Sequence, residues 1–232
     1  MKKRSNRIQS LLIGITLWMV YYPSYSQNFN YSLSVSNQVF QPLADPTLLP
    51  VTGSPDQTAT IAIGFPFNFA GDTYNSLIVT NSGKLLFGTE RKQAISGFGG
   101  IQPRVDTSEA PISVIGYKLT GNEGSRKLTL EFKNFRSTEV DSSLNFQISL
   151  LESSNRIVIH SGANSYAGLP DSTVFFHLGF INPMMDSYHK AACIFGSAGN
   201  LSLETIFDIG EIKYLTRFPS SGTRLELSPQ NN

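Results

Sequence analysis

Alternation of apolar and polar residues dominates the sequence after residue 26. From Ile61 to Phe69 every second side chain is apolar, which places the apolar set on one face of an extended strand. The same period of two recurs in Leu128–Phe132, Leu144–Leu150 and Val174–Phe180. Helical spacing of three and four is not sustained after the first 26 residues. The pattern therefore predicts an all-β protein.

Turn signals separate these runs. Asn81-Ser-Gly83 predicts a tight hairpin in which Gly83 is available for positive φ, and Glu152–Asn155 predicts a second hairpin. Pro66 interrupts the first run and predicts an edge strand or a bulge, because proline has no N–H to donate. Short strands with one buried face predict two packed antiparallel sheets, a jelly-roll or lectin-like β-sandwich.

Two segments lack the alternation. Residues 88–110 contain the glycine-rich run Gly97-Phe-Gly-Gly100 and few periodic positions, and residues 182–200 are similarly mixed. We expect both segments to be irregular, the first as a long loop. Loops of such length in a compact domain are often functional.

The N-terminus has the parts of a secretory signal peptide. Four basic residues (Lys2, Lys3, Arg4 and Arg7) precede the apolar run Leu11–Val20, and Ser24 and Ser26 are small residues at the −3 and −1 positions. The apolar run is shorter than the about 20 residues of a membrane-spanning helix. We expect a cleaved leader at 1–26 and one β-sandwich domain at 27–232. The alternative is an uncleaved N-terminal anchor.

Charge and cysteine usage narrow the function classes. The formal net charge is +1, but residues 27–232 hold 14 basic and 17 acidic residues, a net charge of −3. A weakly acidic domain lacks the basic surface that nucleic-acid binding requires. No later segment is apolar enough to span a membrane. The single cysteine, Cys193, predicts a small buried residue; the alternative, a nucleophile activated by His189, would require a lowered thiol pKa.

One set of residues carries a family resemblance. The run Gly64–Gly71 is followed by Tyr74, Val79, Asn81, Gly83, Leu85 and Phe87. This order resembles the opening of a β-sandwich module that is common in exported proteins of the Bacteroidetes, although Ser82 here separates the asparagine from the glycine. Segments 145–152 and 157–162 resemble a hairpin of nidogen-like extracellular modules. Residues 218–223 with Leu225 and Leu227 are similar to the closing strand of the Bacteroidetes modules.

The resemblance implies a fold and a location outside the inner membrane, and it is nearly silent on chemistry. Members often occur in larger surface proteins with a C-terminal sorting domain. This sequence stops after its last predicted strand, so we expect a periplasmic or secreted protein, with attachment to the cell surface left open.

The candidate catalytic and metal-binding residues are few. His160 and His177 would pair as metal ligands only if their strands were neighbours. A carboxylate-pair hydrolase would draw on Glu131, Glu152, Asp106 or Glu109, and the alternation explains Glu131 equally well as an exposed strand position. Calcium is the only cofactor considered, and its candidate ligands are Asp72 with Asn75, or Glu139 with Asp141. Ordinary turn residues account for these side chains as well.

A binding role relies on aromatic residues outside the core pattern. Glycan sites commonly use exposed aromatic faces, and the sole tryptophan, Trp18, lies in the leader. Tyr166, Tyr188 and Phe98 are therefore the candidate ligand-binding residues, each with loop packing as its alternative role. We predict a non-catalytic module for recognition or adhesion whose partner is a glycan or a cell-envelope protein. The alternatives are a structural subunit of a cell-envelope assembly and an exported carbohydrate-active hydrolase.

Overall fold

The computed structural model describes residues 30–51, 57–88, 93–99, 103–106, 111–137, 143–165, 175–182, 187–197, 200–206, 215 and 219–230. Within these residues the chain forms fifteen β-strands. The all-β prediction is confirmed. The same residues contain no helix long and apolar enough to cross a membrane.

The strands, in chain order, are β1 (Tyr31–Asn37), β2 (Thr47–Leu48), β3 (Thr58–Phe69), β4 (Asp72–Thr80), β5 (Lys84–Phe87), β6 (Gln93–Gly99), β7 (Pro103–Arg104), β8 (Val114–Thr120), β9 (Lys127–Ser137), β10 (Ser143–Leu151), β11 (Ile157–Ser161), β12 (Phe175–Asn182), β13 (Ser187–Ser197), β14 (Asn200–Ile206) and β15 (Thr223–Pro229). They form two sheets. Sheet A has the order β1-β15-β11-β10-β9-β8-β2, with β7 paired to β9, and sheet B has the order β14-β13-β12-β6-β5-β4-β3. Neighbouring strands within both sheets are antiparallel.

Apolar side chains from both sheets meet in one core, which confirms the two-sheet antiparallel sandwich. The alternating runs supply it, because successive residues of a strand point to opposite faces. Phe67 and Phe87 of sheet B and Phe132 and Phe146 of sheet A are fully buried. The rings of Phe132 and Phe146 stack with their centroids 4.4 Å apart. Full burial of each such ring stabilises the fold by about 1.5–3 kcal/mol.

The predicted turns occur where the sequence places them. β4 and β5 form a hairpin in which Gly83 has a φ of 78°, and β10 and β11 form the second hairpin. Both structural roles considered for Pro66 apply. β3 is the edge strand of sheet B, and its register with β4 shifts between Ala62 and Phe67.

The prediction that 88–110 is a long loop and that 182–200 is irregular was wrong. The first segment contains β6 and β7, and the second contains all of β13. β6 lies between β5 and β12, where the consecutive residues Ala94 and Ile95 are both fully buried. Cys193 and Ile194 of β13 are buried in the same way. Strands covered on both faces do not show the alternation of a half-exposed strand, which explains why the pattern missed them.

Candidate functional site

Residues 38–46, here called the crossing segment, connect strands at opposite edges of sheet A. The segment leaves β1 at one edge and enters β2 at the other. It therefore passes over the intervening strands β15, β11, β10, β9 and β8. It does so on the outer face of the sheet, opposite the core.

One residue from each of four adjacent strands forms a row beneath this segment. The pairing register places Arg224 opposite His160, His160 opposite Gln147, and Gln147 opposite Glu131. We call these four residues the polar row. Residues directly opposite one another in an antiparallel pair project from the same face. The row continues on β8 at Gly116, which lies opposite Glu131.

The first half of the crossing segment is bonded by two members of the polar row. The Nε2 atom of His160 lies 3.0 Å from the carbonyl oxygen of Gln38, and the amide nitrogen of Gln147 donates to the carbonyl oxygen of Gln41 at 2.8 Å. Both bonds reach main-chain atoms of the segment. Strands β11 and β10 therefore hold the segment through its main chain at these two residues, and these bonds do not depend on the identity of its side chains.

The second half of the segment is held by Glu131 and Lys118. One carboxylate oxygen of Glu131 accepts the N–H of Leu43 at 3.2 Å, and the other accepts the side-chain amide of Gln147 at 3.3 Å. The ammonium group of Lys118 donates to the carbonyl oxygen of Ala44 at 2.5 Å. Strands β9 and β8 therefore each bond the main chain of the segment through a charged side chain.

Two glycines allow the segment to approach the sheet. A β-carbon at Gly116 would lie 2.8 Å from the Cβ of Pro46, and one at Gly162 would lie 3.0 Å from the ring of Phe40. The Phe40 ring also meets His160 edge-on, with centroids 5.2 Å apart. The segment is thus seated by close packing as well as by hydrogen bonds.

The expectation that Glu131 occupies an exposed strand position was wrong. Its side chain lies on the outer face, as the alternation predicts, but only 6% of the residue is exposed. The Leu43 N–H and the Gln147 amide account for both carboxylate oxygens. Glu131 is buried because the crossing segment, which is distant in sequence, covers the outer face of the sheet at this position.

Glu152 is also committed to a structural contact. Its carboxylate accepts the Nε–H and the main-chain N–H of Arg126, each at 2.9 Å, and forms an ion pair with the Nη2 atom at 2.5 Å. The side-chain hydrogen bonds from Arg126 lower the pKa of Glu152 to about 2, although desolvation acts in the opposite direction. The same guanidinium donates to the carbonyl oxygen of Gly64 on β3 at 2.6 Å. Arg126 thereby joins the turns of sheet A to the edge strand of sheet B.

The two best placed carboxylates do not form a glycosidase pair. Glu131 lies opposite Gln147, which is five residues from Glu152 along the chain of β10. At the rise of a β-strand this is a main-chain separation of roughly 17 Å, whereas the two acids of a glycosidase lie about 5–9.5 Å apart. The main-chain carbonyl oxygen of Asp106 accepts the N–H of Ser113 at 2.9 Å, and Glu109 lies outside the described residues.

The structure separates the two histidines. His160 is on β11 of sheet A and His177 is on β12 of sheet B, so the hypothesis that they pair as metal ligands was wrong. In the described part of the chain no three residues of the metal-binding types cluster.

The candidate calcium ligands have other contacts or lie outside the described residues. The Asp72 carboxylate accepts the side-chain amide of Gln93 at 3.2 Å. Asn75 lies on β4 after Asp72, and the alternative candidates, Glu139 and Asp141, lie outside the described residues.

Cys193 is the buried residue that the sequence predicts. Burial, with a further contribution from the charge of Glu204, raises the pKa of its thiol to about 12. His189 lies four residues away on the same strand, β13, which corresponds to roughly 13 Å of extended chain. A neutral, buried thiol so far along the strand from the imidazole is a poor nucleophile.

The candidate aromatic residues fall at separate places. Phe98 lies on β6, where its neighbour Gly99 is opposite Phe175 of β12. Tyr188 lies on β13 opposite Ile181, at the other end of β12. Six residues of strand, roughly 20 Å, separate these two rungs. Tyr166 lies outside the described residues. The role of all three in ligand binding stays a prediction.

Comparison with known protein families identifies the family of this chain. A family model described as NIDO related matches residues 30–175, more than half of the chain. The chain belongs to the NIDO-related family. This family is a non-enzymatic, extracellular type of module, and the match supports the nidogen-like resemblance of the sequence. No curated protein and no solved structure matches the chain.

The NIDO-related match contains the crossing segment and most of the polar row. His160, Gln147 and Glu131 fall within residues 30–175, whereas Arg224 lies after them. The strands beyond the match complete both sheets. β12 pairs with β6 in sheet B, and β15 lies between β1 and β11 in sheet A.

Proposed function

We propose that this NIDO-related protein is an exported, non-catalytic module for recognition or adhesion that binds a glycan or a protein outside the cytoplasm. The family match over residues 30–175 carries the proposal, because the family is an extracellular, non-enzymatic type of module. The leader-like N-terminus supports export. The structural engagement of Glu131 and Glu152 and the neutral thiol of Cys193 support a role without catalysis.

Sheet B is the side on which we place ligand contacts. Phe98 and Tyr188 belong to this sheet, and Tyr166 follows β11 in sequence. Aromatic rings offer a large apolar face to a sugar or to a protein side chain. Because Phe98 and Tyr188 lie near opposite ends of β12, a ligand that reaches both is an oligosaccharide of several residues or a protein surface.

The alternative of a structural subunit that assembles by strand addition receives less support from the edge of sheet B. The exposed edge of β3 is long, but Arg126 bonds the carbonyl oxygen of Gly64 and Asn155 accepts the N–H of Asn68 at 2.9 Å. Pro66 lies between these two residues and has no N–H to offer. An incoming strand could not form a continuous ladder along this part of β3.

The proposal is tested by binding measurements on the purified protein. We expect a glycan array, or a pull-down followed by a direct affinity measurement with the purified partner, to give a specific ligand. Tyr188→Ala, Phe98→Ala or Tyr166→Ala should weaken that binding at least tenfold, whereas Val39→Ala, at an exposed position on the crossing segment, should not. Absence of any ligand in both formats would contradict the proposal, and turnover of a glycan would contradict its non-catalytic part. N-terminal sequencing of the exported protein should give Gln27 as its first residue.

A further inference from the structure

The N-terminal arm, residues 31–48, forms strand pairing with sheet A only at the margins of the sheet. It consists of β1, the crossing segment and β2. Among the described strands of this sheet β1 pairs only with β15, and β2 pairs only with β8. The arm can therefore leave without breaking the pairing between any two of the remaining strands.

The contacts between the arm and the outer face of sheet A are of a kind that allows the arm to detach and to be replaced by an identical segment. The bonds from His160, Gln147, Glu131 and Lys118 all end on main-chain atoms of the crossing segment. Most residues of the arm are exposed and none is fully buried, and its contribution to the core is limited to the partly buried side chains of Tyr31 and Leu33. Segments with little buried apolar surface open at a lower free energy than the core strands of the same protein.

A hinge lies directly after the arm. The N–H of Val51 donates to the carbonyl oxygen of Leu49 at 2.8 Å, which closes a three-residue turn around Pro50. Val51 itself is 7% exposed and belongs to the core. Release of the arm at this point breaks this bond and the bond from the Leu49 N–H to the carbonyl oxygen of Ile115 at 2.9 Å. Extension of the chain at Pro50 would then redirect the arm while Val51 stays in place.

We propose that the outer face of sheet A binds the N-terminal arm of a second copy of this chain, so that two copies exchange their arms. The second copy carries the one segment whose fit to the polar row, to Gly116 and to Gly162 the structure demonstrates. An exchanged arm makes the same contacts as the chain's own arm, so the two forms differ mainly at the hinge and in the entropy of association. This is the condition under which segment exchange produces dimers. The proposal is independent of the ligand that the module recognises.

The exchange is tested by a disulfide between the arm and the body. Ser32 of β1 lies opposite Ser228 of β15, so the double variant Ser32→Cys/Ser228→Cys places two thiols across the strand pair. Oxidised after incubation at high protein concentration, this bond is intrachain in a monomer and interchain in an exchanged dimer. We expect the dimer fraction from size-exclusion chromatography to remain a covalent dimer on a denaturing, non-reducing gel. Asn37→Cys/Thr223→Cys provides a second pair on the other type of rung, in case the geometry of the first disfavours the bond.

A matched control uses two strands of the body. Thr129 of β9 and Ser149 of β10 share a hydrogen bond of 2.9 Å, and Thr129→Cys/Ser149→Cys should give an intrachain bond in monomer and dimer alike. Cys193 is buried with a raised thiol pKa and should not interfere. Monomer at every concentration would overturn the proposal. So would a dimer in which both arm-to-body bonds stay intrachain, because that dimer would associate without exchange.

Discussion

The carboxylate of Glu131 accepts the main-chain N–H of Leu43, which lies 88 positions earlier in the chain, at 3.2 Å. Through this bond a strand in the middle of sheet A fixes a segment that belongs to neither sheet. Gln147 links the two, because its amide donates both to Glu131 and to the carbonyl oxygen of Gln41. The polar row therefore acts as a clamp for the crossing segment.

Removing the Glu131 carboxylate should destabilise the protein. Glu131→Ala leaves the Leu43 N–H and one Gln147 proton without their acceptor, which we expect to lower the free energy of unfolding by about 1–3 kcal/mol. Urea denaturation measures the change. Glu123→Ala, at an exposed turn position, is the control and should change stability by less than about 0.5 kcal/mol. Equal effects of the two substitutions would show that the clamp contributes nothing.

A methyl group at Gly116 should push the crossing segment from the sheet. The new β-carbon would lie 2.8 Å from the Cβ of Pro46, closer than real β-carbons approach another atom. We expect Gly116→Ala to cost about 1–3 kcal/mol and to speed amide hydrogen exchange at Leu43. In a Pro46→Gly background the same change should cost markedly less, as a double-mutant cycle would reveal. An unchanged cost in that background would place the strain elsewhere.

Loss of the Ser161 hydroxyl should be neutral or stabilising. This hydroxyl is fully buried and has no hydrogen-bond partner among the described residues, so it carries a desolvation cost without compensation. We expect Ser161→Ala to raise the free energy of unfolding by up to about 1 kcal/mol. Ser149→Ala removes a hydroxyl that is bonded to Thr129 and should instead lower it. Thermal or urea unfolding of the two variants compares them directly, and destabilisation by Ser161→Ala would point to a partner for that hydroxyl.

Acid should weaken the link between Glu152 and Arg126. The pKa of Glu152 is lowered from 4.5 to about 2 in the folded protein, chiefly by the hydrogen bonds from Arg126. The contribution is therefore complete above about pH 4.5 and disappears as the pH falls toward 2. The stability difference between the wild type and Glu152→Gln should be constant at neutral pH and should shrink across this acid window. A difference that does not change with pH would contradict the assignment.

Cys193 should resist thiol reagents in the folded state. Its thiol is buried and its pKa is raised to about 12, so almost no thiolate forms at pH 8. We expect labelling by a disulfide reagent to be at least a hundredfold slower than in the protein unfolded in urea. Rapid labelling of the native protein would revive the nucleophile hypothesis.

The sequence predicts much of the fold because alternation reports local burial. The runs around Phe67, Leu130 and Ile148 became core strands as expected, and Pro66 marked an edge and an irregularity. The sequence pattern did not predict β6 and β13, because strands buried on both faces do not show alternating apolar and polar residues. The polar row was missed for a different reason. Glu131, Gln147 and His160 belong to three separate strands, and only the long-range register places them under residues 38–46. Gly116 and Gly162 were the available hints, since each interrupts a strand or its end without a turn to explain it.

The position of β15 has a consequence for the order in which the molecule is assembled. β15 separates β1 from β11, and the side chain of Gln230 bonds Ser32 across 198 positions of sequence. Until β15 has been synthesised, β1 therefore has no strand to pair with in its sheet, and the start of the crossing segment is not fixed to the sheet. Contacts this distant in sequence fold slowly. In the export that we propose, the chain would therefore still lack the pairing of its first strand while its last residues are being translocated.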